Sequence, residues 1–204
     1  MKKALILVDI QNDFCPRGSL AVPGGDEIIP VVNSLGTGFE LVVATMDWHP
    51  PGHVSFASTH GKNVGDTIVA GGITQVLWPD HCVQNTWGAR LAPGLDQKMI
   101  HRIFQKGTDP EIDSYSGFFD NQRKKSTGLE SYLRNSGVNS VYITGLATDV
   151  CVKFTALDAA DLGFETFVVS DGCRGVDLNP GDVQKAYARM KDKGVTILDS
   201  GEVK

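Results

Sequence analysis

Short runs of apolar and β-branched residues alternate along the chain with longer helix-like segments. The runs are almost continuously apolar, which is typical of strands that are covered on both faces. We predict strands at Ala4–Val8, Leu41–Ala44, Ile100–Phe104, Val141–Thr144, Thr166–Val169 and Val195–Leu198. Residues 50–72, rich in Gly, Thr, Ser and His, are predicted to form a long functional loop. Alternation of strands and helices predicts an α/β fold with a parallel sheet and crossover helices.

The helical segments are predicted partly from their capping signals. Helices are predicted near Asp26–Leu35, Leu129–Asn135, Val150–Leu162 and Pro180–Lys193. Thr127 and Glu130 have the spacing of a capping box, in which the glutamate reaches back to the cap residue. Asn179 before Pro180 predicts an N-cap followed by proline in the first helical position, and Gly194 predicts the end of that helix.

Composition and charge narrow the class of protein. The chain has 204 residues, of which 41% are hydrophobic and 21% charged, values typical of a globular protein, and its length fits a single domain spanning residues 1–204. The net charge of −5 argues against a nucleic-acid surface, and no apolar run is long enough to span a membrane or to act as a signal peptide. We expect a cytoplasmic protein without nucleic-acid or membrane partners, and a homo-oligomer stays possible.

Polar residues follow four of the predicted strands where each strand ends. Asp9 follows the first strand, Asp47 and His49 follow the second, and Lys106 follows the third. The fourth strand leads into a short segment that ends at Cys151. Ligands of open parallel sheets bind in the crevice at the carboxyl ends of the strands. The sequence therefore predicts a functional site at this edge.

Cys151 is the candidate nucleophile. It lies one or two residues inside a helix predicted to begin near Thr148, where unpaired amide groups and the helix dipole favour a thiolate. Taken singly, Cys151 could be a buried apolar residue, Asp9 a helix cap and Lys106 a surface lysine. Together they supply a nucleophile, a proton acceptor and a cation. No Gly-x-Ser-x-Gly motif supports a serine hydrolase.

The remaining cysteines are predicted to be structural. They are Cys15, Cys82 and Cys173. The four cysteines of the chain are far apart and form no C-x-x-C pair, so free thiols are expected in a reducing compartment.

A second chemical pattern indicates a metal site. Asp47 and His49 lie on the same side of an extended segment because side chains alternate along it. His81 and His53 are further candidate ligands, and His53 is as well explained as a polar loop residue. A carboxylate with imidazoles binds divalent ions and leaves coordination positions open. We expect one divalent ion, with zinc first and iron, manganese or magnesium as alternatives.

Several blocks of the sequence resemble one known family. The blocks are Asp9-Ile-Gln-Asn-Asp-Phe14, Asp47-Trp-His49, Ser55-Phe56, Trp78-Pro-Asp-His-Cys-Val83, Phe104-Gln-Lys-Gly107 and Gly145-Leu-Ala-Thr-Asp-Val-Cys151. In this order they are similar to the nicotinamidase/pyrazinamidase family of isochorismatase-like cysteine hydrolases. The resemblance implies a six-stranded parallel sheet flanked by helices on both faces. It also implies hydrolysis of nicotinamide to nicotinic acid and ammonia through a cysteine thioester, with pyrazinamide accepted too.

The resemblance further implies a role for each site residue. Cys151 attacks the amide, Asp9 moves the protons and Lys106 stabilises the charged pair. Backbone amides of Ala147 and Cys151 form the oxyanion hole, with a cis peptide bond between Leu146 and Ala147. The metal ligands are Asp47, His49 and His81, with His53 left open. Phe14, Trp78 and Tyr115 match the aromatic residues on either side of the pyridine ring.

Three rival functions are weighed against this one. An isochorismatase cleaves a vinyl ether and does not need the cysteine, so Cys151 argues against it. A carbamoyl amidase keeps the triad, but its ureido substrates have no ring nitrogen for the metal cluster to bind. A non-catalytic binding module on the same fold is the third, since a fold by itself fixes no function. The intact Asp9, Lys106 and Cys151 argue against a binding module.

Overall fold

The computed structural model describes residues 2–203 and contains eight strands. They are β1 (Lys2–Val8), β2 (Val42–Asp47), β3 (Thr67–Ala70), β4 (Ile73–Val76), β5 (Arg102–Lys106), β6 (Val138–Leu146), β7 (Glu165–Arg174) and β8 (Thr196–Leu198). Six of them form one sheet in the order β5-β2-β1-β6-β7-β8, in which every pairing is parallel. Each of the six predicted strands overlaps one of these, so the predicted parallel sheet is confirmed.

Alternate residues of β1 face opposite sides of the sheet and enter two separate cores. Ala4 and Ile6 pack into the first core, whereas Leu5 and Leu7 pack into the second. All four are buried. A strand whose two faces are both covered needs apolar residues at every position, which is why Ala4–Val8 of β1 form a continuous apolar run.

Five α-helices accompany the sheet. They are α1 (Ile29–Gly36), α2 (Ala57–His60), α3 (Leu129–Asn135), α4 (Lys153–Asp161) and α5 (Asp182–Asp192). Helices α3, α4 and α5 contribute to the first core, and α1 contributes to the second together with apolar residues of the loop 82–95. Both faces are therefore covered by helices, as predicted, although one face relies partly on a loop. Across residues 2–203, none of the helices has the length and apolar character needed to cross a bilayer.

The segment 50–72 is more ordered than predicted. It contains α2 and the strand β3, which pairs with β4 as an antiparallel hairpin. The prediction of an unbroken loop is therefore wrong. Side chains of β3 alternate between exposed and half-buried positions and none is fully buried, so the strand lacks the apolar run that identified the others.

Two of the predicted helix starts also differ from the structure. Gly128 occupies the N-cap of α3, and Glu130 pairs with Arg134 one turn later rather than closing a capping box. Helix α5 begins at Asp182 after Gly181, two residues beyond Pro180. The Asp182 carboxylate instead accepts hydrogen bonds from Asn179, which holds the preceding turn. The predicted end of this helix is confirmed, because Gly194 follows it with a φ of 87°.

Candidate active site

The strand order brings the predicted polar residues together at one edge of the sheet. Strands β5, β2, β1 and β6 are consecutive neighbours. Lys106 ends β5, Asp47 ends β2 and Asp9 follows β1. Cys151 lies in the π-helical turn Thr148–Val152 that follows β6. The prediction that these side chains meet is confirmed.

The ammonium group of Lys106 is the centre of this cluster. Its Nζ atom lies 2.9 Å from Asp9 Oδ2, 2.6 Å from Asp47 Oδ1 and 3.5 Å from Cys151 Sγ. It also donates a hydrogen bond of 2.8 Å to the backbone oxygen of Ser114. Burial alone would lower the pKa of Lys106, but the carboxylates of Asp47 and Asp9 raise it well above its ordinary value. The buried lysine is therefore charged.

Asp9 is a buried carboxyl group with a raised pKa. Its backbone is in the left-handed region, with a φ of 50°, as the chain turns out of β1. Thr45 donates a 2.6 Å hydrogen bond to Asp9 Oδ1. Burial raises the pKa of Asp9 to about 6, although Lys106 and Thr45 oppose the rise. At neutral pH Asp9 is ionised and is a base of useful strength.

Cys151 is protonated in the resting site. Its Sγ atom lies within 4.8 Å of a carboxylate oxygen of Asp9, and its side chain is buried. Burial raises the pKa of Cys151 well above its ordinary value, and the cation of Lys106 only partly offsets this. Desolvation therefore outweighs the helix start and the neighbouring lysine, which both favour a thiolate.

The other three cysteines are buried free thiols, as predicted. Burial raises the pKa of Cys15 to about 11 and that of Cys173 to about 12. Burial also raises the pKa of Cys82 well above its ordinary value. In contrast to Cys151, none of the three has a hydrogen bond to Lys106.

The segment that carries Cys151 is fixed by close backbone packing. The peptide bond between Leu146 and Ala147 is cis, as the resemblance implied. Gly145 has a φ of 126°, and a side chain there would collide with the backbone oxygen of Val8. Only glycine suits this position. The close approach of β6 to β1 holds Ala147 beside Cys151 on the wall of the same cavity.

Asp47, His49 and His81 form a group of ligand atoms within 4.8 Å of one another. Asp47 Oδ2 lies 3.7 Å from His49 Nε2 and 3.8 Å from His81 Nε2. The Nδ1 atom of each histidine contacts a backbone oxygen, of Gly107 and Pro79 respectively. A carbonyl only accepts hydrogen bonds, so Nδ1 carries the proton of each neutral ring and Nε2 keeps a lone pair that can bind a metal ion.

This donor set fits one divalent ion. The spacing of the three atoms suits ligands that each lie about 2 Å from a shared metal. Although burial opposes it, the ammonium group of Lys106 keeps the pKa of Asp47 well below its usual range, so the carboxylate is ionised.

His53 lies beside this group but does not join it. Its ring packs against the ring of His49, with 4.2 Å between centroids, and its Nδ1 contacts Ser55 Oγ at 2.7 Å. The Nε2 atom is buried and has no hydrogen-bond partner in residues 2–203. One ring nitrogen of His53 falls within 4.8 Å of ligand atoms of His49 and Asp113, which form a second possible group with it. Burial lowers the pKa of His53 to about 4, so the ring is neutral.

The three predicted aromatic residues line one cavity with Cys151. Phe14, Trp78 and Tyr115 border a space of about 370 Å³ that also reaches Asp47 and His81. Tyr115 is fixed because its hydroxyl accepts hydrogen bonds from Trp78 Nε1 at 3.2 Å and Gln75 Nε2 at 3.0 Å. The cavity therefore combines a flat apolar wall, a thiol and a ligand group.

Several supporting residues were missed by the sequence analysis. Gln11 bonds both backbone atoms of Asp47, accepting from its N–H and donating to its oxygen, each at 2.8 Å. The Asp13 carboxylate accepts a 2.7 Å bond from the backbone of Cys82, which holds the turn after His81. Both lie inside the first resembling block, the one signal that could have identified them. No sequence signal identifies Thr45 or Asp113, because their partners Asp9 and Gln75 are distant in the chain. Ser114 gives none either, because it binds Lys106 through its backbone oxygen.

Comparison with known proteins agrees with this geometry. The model of the isochorismatase domain family matches residues 3–202. The nicotinamidase of Escherichia coli (strain K12) is 49% identical over 199 residues, which cover 96% of this chain and 93% of that protein. A nicotinamidase/pyrazinamidase structure from Acinetobacter baumannii has a TM-score of 0.96 at 46% identity, covering 98% of this chain and 97% of the other. The pyrazinamidase of Pyrococcus horikoshii in complex with zinc has a TM-score of 0.80 at 40% identity, covering 98% and 99%.

This protein is an isochorismatase-like hydrolase. The class is defined by the parallel sheet, by the acid, lysine and cysteine at its carboxyl edge, and by the family match. Within that class, the chain belongs to the nicotinamidase/pyrazinamidase family. The resemblance drawn from the sequence blocks is confirmed.

Proposed function

We propose that this protein hydrolyses nicotinamide to nicotinic acid and ammonia, and that it accepts pyrazinamide. The observation that carries the proposal is the shared cavity, in which Cys151 faces an aromatic wall and the ligand group of Asp47 and His81. A flat heteroaromatic amide suits such a wall, because rings stack on aromatic side chains. The names of the similar proteins, nicotinamidase and pyrazinamidase, support the choice of substrate. The family match over residues 3–202 supports one hydrolase domain.

The first chemical step uses Asp9 and Cys151. As the sulfur attacks the amide carbon, the thiol proton passes to the ionised Asp9 carboxylate, whose oxygen lies within 4.8 Å of Sγ. Lys106 stays protonated between them and stabilises the developing negative charge. Asp9 then returns the proton to the departing ammonia, which leaves a thioester on Cys151. In the second half, water attacks the thioester and gives its proton to Asp9, the carbon–sulfur bond breaks to release the acid, and Asp9 passes the proton to the leaving sulfur of Cys151.

The carbonyl oxygen becomes negatively charged during both steps. Ala147 and Cys151 line the cavity, and we propose that their backbone amides stabilise that charge. A divalent ion held by Asp47, His49 and His81, with zinc proposed, would supply a coordination position for the ring nitrogen of the substrate. The neutral rings of Phe14, Trp78 and Tyr115 keep water away from the reacting carbonyl.

The acid limb of the pH profile is expected to report Asp9. The base must be ionised to accept the thiol proton, so kcat/KM should fall about tenfold per pH unit below a pH of about 6. Thr45→Val removes a hydrogen bond that favours the charged carboxylate, which should move this limb to a pH about one unit higher. The measurement is kcat/KM for nicotinamide between pH 4 and 8. An acid limb at the same pH in both proteins would contradict the role of Asp9.

Removing a proposed metal ligand should empty the site. We expect His81→Ala to weaken metal binding more than about 100-fold, because one of three ligands is lost. Metal content after dialysis is measured by elemental analysis. His60→Ala is the matched control, since His60 is exposed and hydrogen-bonds only to the backbone of Val54. His53→Ala should have a smaller effect. One metal ion per chain in His81→Ala would refute this ligand set.

A panel of substrates tests the proposed function directly. Ammonia release is measured from nicotinamide, pyrazinamide, benzamide and an aliphatic ureido compound with metal-replete enzyme. Nicotinamide and pyrazinamide should be hydrolysed far faster than benzamide, which lacks the ring nitrogen, and the ureido compound should be inert. Equal rates for benzamide and nicotinamide would show that the metal does not contribute to substrate binding. A faster ureido reaction would replace the proposed function with a carbamoyl amidase.

A further inference from the structure

An open groove leads away from the active-site cavity along α4 and α5. It has a volume of about 990 Å³ and shares Trp78, Tyr115, Val150 and Val176 with the cavity. We call it the Phe154 groove, because Phe154 lies in its wall together with the cations Lys153 and Arg189. The groove therefore borders the active-site cavity.

The acidic residues of the groove are already satisfied within the protein. Asp149 accepts hydrogen bonds from the backbones of Val176 and Asp177, at 2.9 and 2.8 Å. Asp182 pairs with Lys185 at 3.1 Å and accepts two further hydrogen bonds from Asn179. The charge of Lys185 is therefore compensated by a neighbour on its own helix.

Lys153 and Arg189 differ from Lys185. Within residues 2–203, neither has a carboxylate within ion-pair distance or a side-chain hydrogen bond to the protein. Both instead lie against one ring, with Lys153 Nζ 4.8 Å and Arg189 Cζ 6.0 Å from the centroid of Phe154. Burial and the charge of Arg189 lower the pKa of Lys153, although Asp149 opposes this. Two cations that lie against the same ring, neither of them held in an ion pair, attract an anion.

We propose that the Phe154 groove is a second ligand site that binds the aromatic carboxylate product of the reaction as it leaves the cavity. The proposal rests on the proposed function, which converts a neutral amide into an anionic acid. The carboxylate binds Lys153 and Arg189, and the ring packs against Phe154 and the apolar side chains of Val176 and Leu178. A neutral substrate gains nothing from the cations, so the groove separates product from substrate by charge.

The test measures binding of two carboxylates to the full-length, metal-replete protein by calorimetry. Nicotinate should bind at two sites per chain, and benzoate, which lacks the ring nitrogen, should bind in the groove. In Lys153→Met/Arg189→Met the groove affinity for both should fall about tenfold or more, while KM for neutral nicotinamide changes less than about twofold. Lys185→Met is the matched control and should bind both carboxylates as the wild type does, because Lys185 is already paired.

Three results would overturn the groove assignment. The first is an unchanged affinity for nicotinate and benzoate in the double variant, and the second is a loss of affinity in Lys185→Met as large as in the double variant. The third is tighter binding of inorganic phosphate than of either carboxylate, which would make the groove a phosphate site. If the double variant does not fold, Arg189→Met is measured instead, because it alters only an exposed side chain. A smaller loss of carboxylate affinity is expected for this single variant. Ammonia release from nicotinamide by the wild type tests the proposed function separately. If the wild type releases ammonia but the double variant binds both carboxylates as the wild type does, the groove proposal is rejected and the proposed function stands.

Discussion

Replacing Cys151 with alanine is expected to reduce turnover of nicotinamide by several orders of magnitude, because the covalent pathway loses its nucleophile. The side chain is buried between Lys106 and the aromatic cavity, and none of the other three cysteines forms a hydrogen bond with Lys106. Loss of one sulfur leaves the sheet and the ligands Asp47 and His81 in place. Folding and metal content should therefore stay at wild-type values.

The measurement is ammonia release at saturating nicotinamide, with circular dichroism and elemental analysis on the same samples. Cys15→Ala is the control, because Cys15 is also a buried free thiol but lies in the second core, away from Lys106. It should keep measurable turnover. Mass spectrometry of the wild type during turnover should detect an acyl group on Cys151. Activity of Cys151→Ala above about a tenth of wild type would reject the nucleophile assignment.

Replacing Lys106 with methionine should have the largest effect on stability. The ammonium group lies between Asp9 and Asp47 at 2.9 and 2.6 Å, and its side chain is fully buried. Without it, two buried carboxylates lose their counter-charge, which we expect to lower the free energy of unfolding by about 3–5 kcal/mol. The transition state loses its nearest cation as well, so kcat/KM should fall about 100-fold or more.

Urea denaturation and nicotinamide kinetics measure the two effects on one preparation. Lys193→Met is the matched control, since Lys193 pairs with Asp161 at 2.6 Å but both side chains are largely exposed. That change should cost about 1 kcal/mol or less and leave the kinetics unaltered. A Lys106→Met protein as stable as the control would contradict the buried ion-pair network. Wild-type kinetics in that protein would contradict the catalytic role of Lys106.

The sequence by itself determined the elements and the kinds of residue at the site. Residues Ala4–Val8 of β1 are apolar at every position because both faces of the sheet are covered there, so this strand could be predicted from the sequence alone. Asp9, Lys106 and Cys151 could be selected because each ends or follows such a strand. Short exposed elements such as β3 lack that signal, and they were missed.

Only the tertiary structure decided which of these residues contact one another and which of them are protonated. The order β5-β2-β1-β6 puts Lys106 between Asp9 and Asp47, a contact that links residues 59 positions apart and that no local pattern encodes. Burial decided the protonation of the site, because desolvation keeps Cys151 as a thiol and gives Asp9 a pKa of about 6. Sequence patterns describe local geometry, whereas electrostatics in a protein interior depend on every group that packs around a charge.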